Sequence, residues 1–154
     1  MKNKVNDSLY SLEEWVSRNG WAGYDPYDIK GQEWFVKLFG KQIYFLRKIR
    51  GVLAIIEGKL PAEPLRKALN IEKTINAKGM GLLASGYLSL YRVTKKTQYL
   101  DNAENILNWL LQNYNKEFPG MSWGYPFHWF SRIFIPRGTP SSVVTGTVGD
   151  AWIE

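Results

Sequence analysis

The stretch Asn76–Asn115, NAKGMGLLASGYLSLYRVTKKTQYLDNAENILNWLLQNYN, decides the fold class of this 154-residue chain. Asn76 precedes apolar residues with helical spacing, and its side chain suits the N-cap position. The turn Thr94–Thr97 reverses the chain, and a second stretch with the same spacing follows. The pattern therefore predicts an antiparallel helical hairpin whose first helix has Asn76 as its N-cap.

Large apolar residues and small residues lie on different sides of the predicted hairpin. Gly79, Gly81, Ala84 and Gly86 leave little side chain on one side of the first helix, so the sequence predicts close approach of another helix there. The predicted inner faces consist of Met80, Leu83, Tyr87, Leu90 and Tyr91 in the first helix and Tyr99, Leu100, Ala103, Ile106, Leu107, Leu110 and Leu111 in the second.

The rest of the chain also indicates helices. The capping-box pattern Ser11–Glu14 predicts a short helix from an N-cap at Ser11 to about Arg18. An apolar stripe between Gln32 and Ile56 predicts two helices or one bent helix, since Gly40 and Gly51 interrupt it. Pro61 and Pro64 precede a short helical turn that ends near Asn70, and Thr139-Pro140 has the pattern of an N-cap and first helical residue. Since no useful β-alternation occurs, we expect one all-α domain over residues 1–154.

Composition excludes several classes of function. The chain has no cysteine and one histidine, so disulfides, thiolate chemistry and a dedicated zinc site are not expected. The N-terminus does not resemble a signal peptide, and the charge-free stretch Gly79–Tyr91 is too short to span a bilayer. We therefore expect a cytoplasmic protein without a cofactor.

The net charge of +6 suits either an acidic partner or a solvated lysine-rich surface. The densest basic run, Arg47–Arg50, contains Arg47, Lys48 and Arg50 and suggests nucleic-acid binding only weakly. Our prediction is that nucleic acid is not a partner.

The segment Trp123–Trp129 concentrates four aromatic residues, the histidine, a proline and a glycine. Glycine and proline favour a bent loop that displays the rings in a cleft for a sugar or lipid. A hydrophobic plug folded beneath the helices is the alternative, and the segment alone leaves both open.

Five segments in this order resemble the first half of α/α-toroid proteins of the six-hairpin glycosidase-like type, most closely a group of microbial proteins associated with surface-polysaccharide genes. They are Gly23–Asp28, Asn76–Leu82, Thr97–Leu100, Trp123–Phe127 and Pro136–Pro140. The resemblance spans nearly the whole chain and implies part of a ring of antiparallel helical hairpins around a loop-lined cleft. Enzymes of that fold cleave or epimerise sugars, and related toroids handle isoprenoids, so the fold alone does not settle the chemistry.

Two positions of the aromatic motif depart from the family's pattern. His128 stands where the family commonly has Asp, and Phe130 stands where it has Gln. A complete toroid also requires a much longer chain. The resemblance thus implies a carbohydrate-active or polysaccharide-binding fragment, acting in glycoside hydrolysis or sugar epimerisation. The alternative is a non-enzymatic helical module that binds a partner.

The candidate catalytic residues are Asp25, Asp28 and His128. A glycosidase uses paired carboxylates as acid and base, and both aspartates lie in one bent loop. An imidazole is a further acid or base near neutral pH. The structural alternatives are a turn at Asp25, an N-cap at Asp28 and a hydrogen-bonded structural histidine.

The candidate substrate-binding residues are four rings and two guanidinium groups. Tyr24, Trp123, Tyr125 and Trp129 suit stacking on sugar rings, with burial in the core as the alternative. Arg132 and Arg137 suit a carboxylate or phosphate on the ligand, although Arg137 equally suits a bond to backbone carbonyls.

Two spatial predictions complete the interpretation. The loops 20–28 and 119–140 should lie at the same end of the helices. A partial toroid should also expose an apolar flank that includes Val144, Val148, Trp152 and Ile153. We therefore expect either a product truncated at its C-terminus or self-association through that flank.

Overall fold

The computed structural model describes the chain except residues 1, 26, 28, 40–42, 58–61 and 131–132 and the side chains at 2, 3, 5, 6, 47, 50, 54, 56, 57, 62 and 130. This part of the chain forms seven helices and one two-stranded antiparallel sheet, so the predicted all-α class is confirmed as a mostly helical chain. The helices are α1 (Lys2–Asn19), α2 (Glu33–Phe39), α3 (Tyr44–Glu57), α4 (Ala62–Ala68), α5 (Ala77–Thr94), α6 (Thr97–Gln112) and α7 (Ser142–Ile153). The strands are β1 (Trp129–Phe130) and β2 (Phe134–Ile135).

The core is built from α5, α6 and α7, and it confirms the predicted hairpin. The Asn76 side chain accepts a hydrogen bond from the Lys78 N–H over 3.0 Å, as an N-cap should. Lys95 ends α5 in the left-handed region with φ 58°. The fully covered side chains of the three helices are Met80, Ala84, Ala103, Ile106, Leu110, Val144, Val148 and Ala151.

Helix α7 crosses α5 at Gly81. A Cβ at this position would lie 3.0 Å from the Thr147 carbonyl oxygen and 3.2 Å from the Val148 Cα. The prediction of close helix approach is therefore confirmed at Gly81. Gly79 and Gly86 do not share this role, because a Cβ at either would meet no atom within 4 Å.

The predicted start of α1 was wrong. The helix begins at Lys2, and the Ser11 hydroxyl donates back to the Asp7 carbonyl oxygen over 2.9 Å, a bond made inside a helix. No glycine or proline precedes Ser11 to stop the helix from extending upstream. The predicted end is confirmed, since Gly20 follows with φ 70° and donates to the Val16 carbonyl oxygen.

The prediction for α7 was wrong in two respects. The N-cap is Ser141 rather than Thr139, because Pro140 pairs with Gly124 in a β-bridge and the Thr139 hydroxyl donates to the Pro136 carbonyl oxygen. The prediction of an exposed flank was also wrong for two of its four residues.

Val144 and Val148 are 0% exposed because they pack into the core, whereas Trp152 and Ile153 are exposed. The end of α7 is held to α5 by a hydrogen bond from the Arg92 guanidinium to the Glu154 carbonyl oxygen.

The segment between the first loop and the hairpin forms separate helices, as one of the two predicted alternatives required. Helix α2 ends at Phe39, while Gly51 lies inside α3. Phe35 is buried, yet much of the apolar stripe is exposed, including Trp34, Leu38 and Phe45. Among the described helices, none has both the length and the hydropathy to cross a membrane.

Candidate functional site

Two loops that are far apart in sequence meet at one end of the molecule, which agrees with the predicted placement. The Tyr27 ring stacks on the Phe127 ring with their centroids 5.4 Å apart. Gly31 allows this approach, because a Cβ there would lie 3.1 Å from both the His128 nitrogen and the Phe127 Cβ. The loop after α1 and the aromatic segment after α6 therefore form one surface.

Four rings from these loops form a contiguous group, which we call the ring cluster: Tyr27, Tyr125, Phe127 and Trp129. Tyr125 stacks on Phe127 at 5.1 Å and meets Trp129 edge to face at 6.1 Å. Tyr27 also lies 6.5 Å from Trp129. Phe127 is buried, Tyr125 and Trp129 are half-buried, and Tyr27 is exposed, so the cluster borders solvent.

Backbone contacts to the segment before α7 hold the aromatic segment in its bend. The Gly138 N–H donates to the Tyr125 carbonyl oxygen over 2.8 Å, and the Ser141 N–H donates to the Trp123 carbonyl oxygen over 2.9 Å. A side chain at Gly124 would overlap the Thr139 carbonyl oxygen, so only glycine fits this crossing. The segment thus displays some rings and buries others.

Trp123 belongs to the buried part. It is 4% exposed, it packs in the core, and its indole N–H donates to the Leu110 carbonyl oxygen over 2.9 Å. Its backbone is also joined to the Thr145 hydroxyl. Since no face of this ring is open to solvent, we leave Trp123 out of the candidate ligand surface.

Beside the ring cluster lies a cleft of about 320 Å³ that contains charged groups of both signs. We call it the charged cleft and define it by Asp25, Glu33, Glu72 and Arg137, with Phe127 as the shared wall to the ring cluster. Among the described residues, no hydrogen bond or ion pair engages the side chains of Glu33, Glu72 or Arg137. These three groups are therefore available to a ligand.

Asp25 is engaged in holding its own loop. Its Oδ2 accepts from the Asn76 side-chain amide over 3.1 Å, and its Oδ1 accepts from the Tyr27 N–H over 3.3 Å. The Arg66 guanidinium donates to its carbonyl oxygen over 3.3 Å. These contacts fit the alternative in which Asp25 shapes a turn, although Asp25 borders the charged cleft. Asp28 lies outside the described residues.

His128 is half-buried, and its ring stacks on Phe134 with their centroids 5.3 Å apart. Its Nδ1 accepts from the Arg137 backbone N–H over 3.1 Å, which places the proton of the neutral ring on Nε2. Burial lowers the pKa of His128 below 6.5, and the positive charge of Arg137 lowers the pKa further, while Glu33 opposes both. The site therefore favours a neutral imidazole.

The remaining predicted residues are Tyr24, Arg137 and Arg132, and each has a different environment. The Tyr24 ring faces the cationic ends of Arg66, at 4.7 Å, and Lys73, at 5.6 Å, so these side chains compete with a sugar for it. Arg137 is exposed at the charged cleft, close to the ring cluster. Arg132 lies outside the described residues.

Sequence reasoning missed Glu33 and Glu72 as candidate site residues. Glu33 begins α2 and Glu72 follows α4, and neither lies in a local motif. Tyr27 and Phe127 were not predicted as site residues either, because their contact across two distant loops could not be read from sequence. Within the described ranges, no group of three His, Cys, Asp or Glu side chains is placed to hold a metal ion.

Comparisons with family models, curated proteins and solved structures find no match to this chain. The toroid resemblance therefore stays a prediction.

Proposed function

We propose that this chain binds a carbohydrate across the ring cluster and the charged cleft and acts on it there. The observation that carries the proposal is that Phe127, which stacks on Tyr125 in the ring cluster, also borders the charged cleft with the carboxylates of Glu33 and Glu72, which are unpaired among the described residues. Rings stack on the apolar faces of sugars, while carboxylates and guanidinium groups bind hydroxyls. A stacking surface beside hydrogen-bonding groups suits a carbohydrate ligand.

Glu33 and Glu72 are the stronger acid and base candidates in this proposal. Glycoside hydrolysis uses one carboxyl group as acid and another as base or nucleophile. Both glutamates border the cleft without a described partner, whereas Asp25 is bonded to Asn76. Asp25 then positions the loop that carries Tyr27, and Arg137 contacts the ligand.

Binding is tested on a glycan array, followed by titration of each hit with tryptophan fluorescence. We expect Trp129→Ala and Tyr125→Ala to weaken binding by at least about tenfold, because each removes a stacking face. Trp15→Ala is the matched control, since Trp15 is exposed on α1. Equal affinity of all three variants, or no bound glycan, would refute the binding site.

Catalysis is tested separately on the glycans that bind. Glu33→Gln and Glu72→Gln should abolish turnover and leave fluorescence-detected binding within a few-fold of the parent, because the amides keep the shape of the side chains. Glu104→Gln, an exposed change on α6, is the control. Binding without turnover in the parent protein would reduce the proposal to a binding function.

A second candidate function is a non-enzymatic helical module that binds a partner. It is favoured by the exposed apolar residues of α3, namely Tyr44, Phe45, Val52 and Ile55. This surface is separate in sequence from the charged cleft. Partner binding that is lost on changing α3 but unaffected by Trp129→Ala would favour this candidate.

A further inference from the structure

One face of α3 is apolar and exposed. Tyr44, Phe45, Val52 and Ile55 are each more than half exposed. With 3.6 residues per turn, these four positions fall within an arc of about 100° around the helix. Leu46 and Leu53, on the opposite side, are half-buried. The exposed apolar side chains therefore share one side of the helix, near both of its ends.

The segment that carries this face is basic in sequence, and its nearest acidic residues are Glu33 and Glu57. Residues 34–56 contain Lys37, Lys41, Arg47, Lys48 and Arg50 and no Asp or Glu. Lys48 lies within the same arc of α3, and its Nζ sits 4.8 Å from the centre of the Tyr44 ring. A lysine in this position covers apolar surface with its stem and keeps its ammonium in water.

We infer that the exposed face of α3 binds the surface of a membrane that contains anionic lipid. An interfacial helix buries its apolar side chains at the boundary between headgroups and acyl chains, and its basic residues meet the lipid phosphates. Both halves of this requirement are present in residues 34–56. The inference concerns α3 lying on the surface and does not involve a membrane-spanning helix.

The charge also argues against a second copy as the occupant of this face. A symmetric dimer through α3 would bring the same basic residues of two chains together. Such like charges repel when they are desolvated, and α3 carries three basic residues against one acidic residue, Glu57. An anionic lipid surface instead attracts these basic residues.

The test is cosedimentation with vesicles made of equal parts phosphatidylcholine and phosphatidylglycerol, compared with pure phosphatidylcholine vesicles. We expect binding to the mixed vesicles that weakens as salt is added. Val52→Glu should lower the apparent affinity by about tenfold, because it removes an inserted side chain and adds repulsion. Val93→Glu is the matched control, since Val93 is also highly exposed, but on α5.

Two lysine variants distinguish contact with lipid at α3 from an effect of the protein's overall charge. Lys48→Gln should weaken vesicle binding about fivefold, and Lys116→Gln, which also removes a lysine near a tyrosine ring, should not. Equal effects within either pair, or no vesicle binding by the parent protein, would overturn the inference. Light scattering that shows a dimer lost in Val52→Glu would overturn it too, because a second copy would then cover this face.

Discussion

The side-chain amide of Asn76 donates to Asp25 Oδ2 over 3.1 Å while its carbonyl oxygen accepts from the Lys78 N–H over 3.0 Å. One side chain therefore caps α5 and fastens the loop that carries Tyr27. Through Tyr27, this loop supports the ring cluster. The stability of the core hairpin and the position of the candidate site are coupled at Asn76.

Two replacements of Asn76 should show how much each of its two contacts contributes to the free energy of unfolding. Asn76→Ala loses both the cap and the bond to Asp25, and we expect a decrease of about 2 kcal/mol in the free energy of unfolding. Asn76→Ser keeps a capping oxygen and loses the longer side chain, so about half of that decrease is expected. Urea denaturation measures both values. Equal stability of the alanine and serine variants would show that the bond to Asp25 carries the whole effect.

Two glycines of α5 should respond oppositely to alanine. At Gly81 the new methyl group would press on the Thr147 carbonyl oxygen, so we expect Gly81→Ala to destabilise the protein by about 1–3 kcal/mol. At Gly86 no atom lies within 4 Å of the new Cβ, so Gly86→Ala should stabilise the helix by about 0.5–1 kcal/mol. Thermal unfolding of both variants provides the comparison. A stabilising Gly81→Ala would contradict the close contact with α7.

The elements that follow from local sequence were predictable. The N-cap at Asn76 and the turn after Thr94 are short-range features, and the predicted hairpin agrees with α5 and α6. The Ser11 prediction failed because a capping-box pattern does not forbid helix on its N-terminal side. The exposure of Val144 was mispredicted because burial of α7 depends on Gly81, more than sixty residues earlier.

The candidate site was predictable only in part, for a related reason. Tyr125 and Trp129 stand in an aromatic run that is visible in the sequence. The charged cleft instead collects Glu33, Glu72 and Arg137 from three distant segments. No periodicity or motif links such positions, since their proximity is a consequence of tertiary packing.

Trp123 should affect stability rather than ligand binding. Trp123→Phe keeps most of the buried ring but removes the N–H bond to the Leu110 carbonyl oxygen, so we expect a loss of about 1 kcal/mol or more. Trp123→Ala should lose about 3–5 kcal/mol, because it also leaves a cavity in the core. Chemical denaturation measures both. A Trp123→Phe variant that folds normally but loses glycan binding would contradict the core assignment.

The single histidine makes a direct test of the charged cleft possible by proton NMR of its Cε1–H. We expect His128 to titrate below 6.5, chiefly because of burial and secondly because of Arg137. Arg137→Gln should raise the pKa, and Glu33→Gln should lower it, because each variant removes one of the two opposing charges. A pKa at or above 6.5, or one that is unchanged in both variants, would contradict the described site.

The same shift predicts the direction of the pH dependence of stability. The unfolded chain takes up the His128 proton near 6.5, and the folded chain takes it up only at lower pH. Between these two pKa values the unfolded state holds more protons, so stability rises with pH. The contribution of His128 is therefore fully present above about 6.5 and is lost as pH falls towards the folded pKa. Denaturation at several pH values gives the free energy of unfolding of the parent and His128→Gln proteins. The free energy of the parent should fall relative to that of the variant as the pH decreases. A difference that stays constant with pH would show that protonation of His128 is not linked to folding.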